Sequence, residues 1–324
     1  MGGRAGSSQG LGIPASLAML GPPRSKGVGL HTDEIAIDVE LVARLVAARF
    51  PQAADMPLER VGVHGTDHVI YRLGDRLAVR LPRHPGAAGQ VEKEQLWLPR
   101  LAPHLPLPIP EPVLAGEASE RFPWPWSICA WLDGRPGDDL PMLGKASVGL
   151  ALGEFLAAMQ TLDAEDAPAP GPHNAWRGVA LRARDKVTRK AIADLGPLID
   201  EGQTFAAWEA ALDVSVWDRP AVWLHGDLMP SNLLFDGERV AGVIDFGCMG
   251  AGDPACDLIP AWNLLTGDAR EAFRHATGAD AETWARGRGW ALSVALVQLP
   301  YYRETNPVIA RNARRTILEV LADA

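Results

Sequence analysis

Asp227, Asn232 and Asp245 are the residues whose types and spacing suit a chemical step. All three fall in one stretch, VWLHGDLMPSNLLFDGERVAGVIDFG, at residues 222–247. Phosphoryl transfer from a nucleotide asks little of a protein. It needs a carboxylate that orients an attacking hydroxyl and accepts its proton, and oxygen ligands for one or two Mg²⁺ ions. Mg²⁺ prefers hard oxygen donors and usually takes only one or two carboxylates. The set predicts Asp227 as the base, with Asn232 and Asp245 as Mg²⁺ ligands on two different loops, as a clamp across two phosphates requires. His225 is expected to be structural, its ring tying the first loop to the second.

Such loops need strands behind them. The apolar runs Val222–Leu224 and 240–244 supply two. Upstream, Asp38 is placed to cap a helix carrying Leu41, Val42, Leu45, Val46 and Phe50, which Pro51 stops. Three strand-like runs follow at 58–63, 69–73 and 77–81, with Gly65 and Gly74 at the turns. Residues 87–101 read as a helix whose last turn contains Pro99. The proline-spaced segment 105–112 reads either as a linker or as a rigid lead into a strand. Residues 126–132 form an apolar strand closed by Asp133-Gly134. Helices then dominate: 145–162, with Val148, Leu152, Phe155, Leu156 and Met159 on one face, then 179–193, 204–212 and most of the chain beyond Gly247. Strands first and helices after predict an α+β protein of two lobes with a cleft between them. The expected division is a disordered tail over 1–30, an N-terminal nucleotide-binding lobe over 31–132, and a C-terminal catalytic and acceptor-binding lobe over 133–324.

The spacing also resembles a known pattern. Asp227-Leu228-x-x-x-Asn232 followed by Asp245-Phe246-Gly247 is similar to the catalytic and metal loops of the protein-kinase-like fold. HGD-L-x-P-x-N resembles the aminoglycoside phosphotransferase family, kinase-fold enzymes that phosphorylate small molecules. The likeness runs from about Asp33 to the C-terminus. It implies an N-terminal antiparallel sheet lobe, a larger and mostly helical C-terminal lobe, and Mg²⁺ with ATP or GTP as cofactors.

Leu77-Ala78-Val79-Arg80 matches the kinase V-A-I-K strand except at its last residue. Arg80 keeps the positive charge and adds a bidentate fork, but it is bulkier than Lys and not interchangeable with it. By the resemblance it is the phosphate cation, held by a carboxylate on the next helix. Glu92 and Glu94 are the candidates, and Glu94 is preferred because Leu98 and Leu101 follow it at four and seven residues. Gly65-Thr66-Asp67-His68 stands where a kinase places its phosphate-covering loop, although G-x-G-x-x-G is absent; the Thr66 hydroxyl is expected on phosphate. Cys129-Ala130-Trp131-Leu132 resembles the hinge between lobes, which would set the Ala130 carbonyl and the Leu132 amide against the adenine edge. In Asp253-Pro254-x-x-Asp257, the resemblance implies an acidic residue that both caps the next helix and braces the catalytic loop, and Asp257 is expected in that supporting role. The kinase Arg that follows the motif His is here Gly226, and the segment after Gly247 is too short for an activation loop, which argues against a protein substrate.

The composition agrees with a small-molecule enzyme. The 324 residues are 47% hydrophobic and 22% charged, ordinary for a soluble globular chain of about two domains. With 31 basic and 40 acidic side chains the net charge is −9, which argues against a nucleic-acid binder and against a polybasic membrane anchor. Cys129, Cys248 and Cys256 form no C-x-x-C, so a reducing, cytoplasmic setting is expected. No apolar run approaches ~18 residues, and the faint signal-like stretch near Leu11 is interrupted by Pro14. The expected partner is a small-molecule hydroxyl compound, an aminoglycoside or macrolide-like antibiotic on one reading and a sugar or amino alcohol of metabolism on another. A third reading, a nucleotide-binding pseudokinase, draws on Arg80 and the absent Gly-rich motif. Trp262, Asn263, Tyr301, Tyr302 and Arg303 are the expected acceptor wall.

Overall fold

A computed structural model describes residues 35–62 and 67–323. The expected tail over 1–30 and the Gly65-Thr66 pair lie outside the described residues.

Helix α1 (Val39–Arg49) starts at Asp38, whose Oδ1 accepts the Leu41 N–H at 2.8 Å. Strands β1 (Leu58–Arg60), β2 (His68–Leu73) and β3 (Leu77–Pro82) follow, then helix α2 (Pro85–Leu101), β4 (Pro112–Gly116) and β5 (Trp126–Ala130). The five strands form one antiparallel sheet in the order β1-β2-β3-β5-β4. Side chains alternate across it. Val69, Tyr71, Leu73, Val79, Leu81 and Ile128 face α1 and build one core. The β2–β3 register sets Ile70 opposite Arg80 and His68 opposite Pro82, so His68, Ile70, Ala78 and Arg80 share the other face. That face is left for a ligand.

A second, larger core gathers the helical part: α3 (Ala146–Gln160), α4 (Asp185–Leu195), α5 (Glu201–Leu212), α6 (Pro260–Asn263), α7 (Gly267–Thr277), α8 (Ala281–Tyr302) and α9 (Pro307–Ala322). Leu98 and Leu101, at the end of α2, belong to this core rather than to the first, although α2 also packs against β3, β4 and β5. Set into the helices are a sheet of β6 (Arg135–Pro136), β8 (Leu233–Asp236) and β9 (Arg239–Val243), and a pair made by β7 (Val222–Leu224) and β10 (Gly250–Gly252). Among the described residues no helix is long and apolar enough to cross a membrane.

Three segments depart from the sequence reading. Helix α4 begins only at Asp185, because Gly178 takes a left-handed φ of 82° and 181–184 form a tight 3-10 turn. Strands β8 and β10 were not expected. β8 has buried Leu233, Leu234 and Phe235 and turns at Gly237 into β9, whereas β10 is Gly-Ala-Gly and becomes a strand only because β7 lies beside it. The proline-spaced segment is the rigid lead rather than a free linker. Pro108 has no N–H to give, but its carbonyl accepts the Val243 N–H at 3.0 Å and ties the segment to β9.

Candidate active site

Strand β7 delivers His225-Gly226-Asp227, and the buried carboxylate of Asp257 fixes the turn. Its two oxygens accept the His225 and Gly226 backbone N–H groups, each at 2.7 Å. Burial holds the Asp257 pKa above the usual carboxylate range, against the pull of His225 and these N–H groups. Capping falls to the neighbouring acid: Asp253 accepts the Ala255 N–H and is itself held by Arg286 at 2.8 Å. The two tasks expected of this segment are thus divided between two side chains.

His225 links the loops as expected. Its Nδ1 accepts the Asp227 N–H at 3.1 Å, which assigns the ring proton to Nε2, and Nε2 donates to the Ile244 carbonyl at 3.1 Å. Burial depresses its pKa, so the ring is neutral, and it meets Phe246 edge-on at 4.5 Å. Between His225 and Asp227, Gly226 adopts φ +82°, and a Cβ there would stand 2.3 Å from the Cys248 carbonyl oxygen. The close approach of the two loops, not only the backbone angle, explains why no arginine follows the histidine here.

Asp227, Asn232 and Asp245 come together. The Asn232 amide donates to the Asp227 carbonyl at 2.8 Å and to its Oδ2 at 3.1 Å. The Ile244 N–H donates to the Asn232 carbonyl at 2.9 Å and so brings the start of the second loop alongside. Asp245 follows with φ 62° and ψ 72°, a left-handed conformation that a non-glycine residue holds at a cost. Burial raises the Asp227 pKa, opposed by Arg177, whose Nη2 lies 3.4 Å from Oδ1. For Asp245, burial is outweighed by Arg80 and the pKa falls.

Arg80 is the junction of the site. Nη1 donates to both Glu94 oxygens at 2.6 Å, and Nη2 donates to Asp245 Oδ1 at 2.8 Å and to His68 Nδ1 at 3.3 Å. Burial opposes the charge, but Glu94 and Asp245 outweigh it and raise the Arg80 pKa. Glu94 is buried, with its pKa raised by burial, while Glu92 is exposed. His68 is driven down to about 3, first by burial and then by Arg80, and is therefore neutral.

Lys93 and Arg177 were not read from the sequence. Lys93 is buried; its Nζ donates to the carbonyls of Gly247 and Met249 at 2.7 and 2.9 Å and lies 3.4 Å from His173. The stripe Val91, Leu98 and Leu101 puts residue 93 on the far side of α2, which periodicity assigns to solvent; the segment 247–249 covers that side. Arg177 sits in a loop between α3 and α4 with no motif around it.

Arg80, Asp227, Asn232 and Asp245 line a cleft of about 440 Å³. Apolar Ile70, Ala78, Leu234 and Ile244 and the segment 129–132 border the same cleft. The Trp131 N–H donates to the Arg76 carbonyl at 2.8 Å and the Ala130 N–H donates to the Glu111 carbonyl at 3.0 Å, so these two residues turn their backbone groups opposite ways. Trp262 and Asn263 leave the expected acceptor wall: both are buried, Trp262 against Trp284 with its indole N–H on Asp323, and Asn263 against Met229. Tyr301 and Tyr302 remain half-buried at the end of α8, in edge contact at 4.6 Å. Burial, Tyr301 and the charges of Asp227 and Asp67 push the Tyr302 phenol up to about 12. Arg303 is exposed beside Glu304.

The donor set suits Mg²⁺. Among the described residues no group of three or more His, Cys, Asp or Glu is placed to hold a metal, and the site instead offers one carboxylate and one amide oxygen. The Asp245 side chain is 47% exposed with only Oδ1 engaged by Arg80, and such hard oxygens with room for water fit Mg²⁺ better than Zn²⁺.

Comparison with known proteins bears on the family and the fold. A family model described as the phosphotransferase enzyme family matches residues 59–290. A homoserine kinase of Gluconacetobacter diazotrophicus is 32% identical over 178 residues, 53% of this chain, and the chain spans about half of that relative, 53% of its length. The fold is similar to an aminoglycoside 2′-phosphotransferase solved as its GDP complex, with TM-score 0.67, 18% identity, and 89% of this chain and 100% of that chain covered. It is also similar to a macrolide 2′-phosphotransferase from Brachybacterium faecium, with TM-score 0.58, 21% identity, and 86% and 97% covered.

Proposed function

The chain belongs to the phosphotransferase enzyme family, and from that premise we propose that it transfers the terminal phosphoryl group of ATP or GTP to a hydroxyl of a small molecule. The convergence of Asp227, Asn232 and Asp245 beside the Arg80–Glu94 pair carries this reading. Residues 31–132 serve as the nucleotide lobe and 133–324 as the catalytic and acceptor lobe. The Ala130 carbonyl and the Leu132 amide meet the base, and Ala78 leaves space above it.

Asp227 orients the acceptor hydroxyl and takes its proton as the oxygen bonds to the γ-phosphorus. The bond from that phosphorus to the bridging oxygen breaks, and the nucleoside diphosphate leaves with the electron pair. Asn232 and Asp245 would hold Mg²⁺, which when bound neutralises charge on the phosphate oxygens. Arg80 supplies fixed positive charge beside them, and burial makes that charge count for more than it would in water.

Two acceptor classes follow. An aminoglycoside or macrolide-like antibiotic is the first, supported by the sequence motif and by the shared fold. An amino alcohol or related metabolite is the second, favoured by the 32% identity to a homoserine kinase. A pseudokinase is disfavoured because all three polar residues are in place.

Asp227→Ala is expected to abolish phosphoryl transfer while nucleotide binding survives, and full activity in that variant would remove Asp227 from the chemistry. A panel of antibiotics and hydroxylated metabolites with nucleotide and Mg²⁺, read by the mass of an added phosphate, separates the acceptor classes.

A further inference from the structure

We infer that Arg177 is a positioning residue for phosphoryl transfer, its guanidinium fixing the one Asp227 oxygen that Asn232 does not hold. The inference rests on the proposed role of Asp227. Asp227 Oδ2 accepts from Asn232 at 3.1 Å, and Oδ1 faces Arg177 Nη2 at 3.4 Å. A carboxylate held by one oxygen alone still turns about its Cβ–Cγ bond; held by both, it has one orientation.

The chain goes to some length to bring Arg177 there. Its loop opens with Gly171 N–H donating to Asn174 Oδ1 at 3.0 Å, and closes with the Arg177 N–H on the Asn174 carbonyl at 3.1 Å. Ala175 and Trp176 then take left-handed φ angles of 52° and 59°, which side chains other than Gly adopt at a cost. Gly178 follows at 82°, and its carbonyl accepts the Asp253 N–H at 2.9 Å. The strained pair turns the next residue inwards.

The charge there is expensive as well. Arg177 is 9% exposed, with Trp290 at 5.8 Å, and Arg184 stands on the same indole at 4.8 Å. Burial together with the Arg177 charge drives the Arg184 pKa down to about 9. Two guanidiniums around one ring repel, and among the described residues the salt-bridge partner of Arg177 is Asp227. A purely packing role would be met by an apolar side chain, without repulsion or strain. The closure of Gly226 against Cys248 supplies the reason for the detour: position 226 has no room for a side chain, so the cation arrives from another loop.

The test uses the full chain with Arg177→Met, Arg177→Lys and Arg177→Ala. With an acceptor from the panel, the Met variant is expected to lose about 100-fold in kcat, the scale set by a misplaced reacting group, while KM for nucleotide and nucleotide affinity by calorimetry stay within about threefold. Arg177→Lys retains more of kcat than Met, and added ethylguanidinium restores at least about tenfold to Arg177→Ala, which a merely structural residue would not show. Wild-type kcat in Arg177→Met overturns the inference. So does a joint loss of kcat, nucleotide affinity and thermal stability that neither Lys nor ethylguanidinium recovers. A wild-type protein silent towards every acceptor counts against the phosphoryl-transfer reading instead. The crystal structure of Arg177→Met with Mg²⁺ and a non-hydrolysable nucleotide then decides: a displaced Asp227 carboxylate upholds the inference and an unmoved one overturns it.

Discussion

Replacing Asp257 by Asn tests whether one buried carboxylate sets the catalytic turn. The wild-type side chain is fully buried, and each of its oxygens accepts a backbone N–H at 2.7 Å. Asn keeps one acceptor and turns an NH₂ group towards the other N–H. One charge-assisted hydrogen bond, about 1.5–3 kcal/mol, is lost, and a buried N–H without a partner costs a further ~1–3 kcal/mol. Part of this is offset because the amide carries no charge to desolvate, and burial is the main cause of the raised Asp257 pKa. The net expectation is about 2–4 kcal/mol of stability, or roughly 3–6 °C in melting temperature for a chain of this size. Turnover should fall by more than stability alone predicts, because the turn carries the proposed base Asp227, and a ~1 Å shift of such a group costs on the order of 100-fold. Urea midpoints at constant m-value measure the first effect, and kcat below the melting range measures the second. A change under about 0.5 kcal/mol with kcat within about twofold of wild type would refute the bracing role.

Arg80→Lys replaces a fork that spans Glu94 and Asp245 with a single ammonium; losing one charge-assisted bond of about 1.5–3 kcal/mol should weaken nucleotide binding ~10–100-fold in a folded protein, and unchanged affinity by calorimetry would contradict the bridge. Gly226→Ala places a Cβ 2.3 Å from the Cys248 oxygen at φ +82°, so a loss of about 2–4 kcal/mol and of most activity is expected; a wild-type melting curve would disprove the clash. His68 is neutral in the folded chain, with its pKa lowered from 6.5 to about 3. The unfolded chain therefore binds the extra proton between those values, and stability should fall as pH drops from 6.5 towards 3. His68→Gln should show a shallower decline in urea midpoints over the same range, and an unchanged slope would count against a buried neutral ring.

The residues legible in the sequence are those that act through local pattern. The alternation of Leu77, Val79 and Leu81 sends Arg80 into the cleft, and Leu98 and Leu101 mark Glu94 as the inward acid of α2. The spacing of Asp227, Asn232 and Asp245 was readable for the same reason: a short strand and a tight turn leave a side chain few places to go. Arg177 was not legible, because its reach to Asp227 spans 50 residues and depends on two left-handed residues that no periodicity announces. Lys93 failed differently. Helical period predicts one buried stripe, and α2 has two covered sides. Trp262 was misjudged because an aromatic side chain facing a ligand and one facing the core look alike in sequence.

The double anchorage of Lys93 reaches beyond the metal loop. In protein kinases the position of the helix after the cation strand decides whether the cation–carboxylate pair is in place. Here Lys93 bolts this helix to the Gly247 and Met249 carbonyls, and Arg80 ties the same helix, through Glu94, to Asp245. A swing would break buried bonds on both sides at once and strand an ammonium without partners. The helix should therefore hold this position with or without a bound nucleotide. Amide exchange across α2 should accordingly be slow and little altered by added nucleotide.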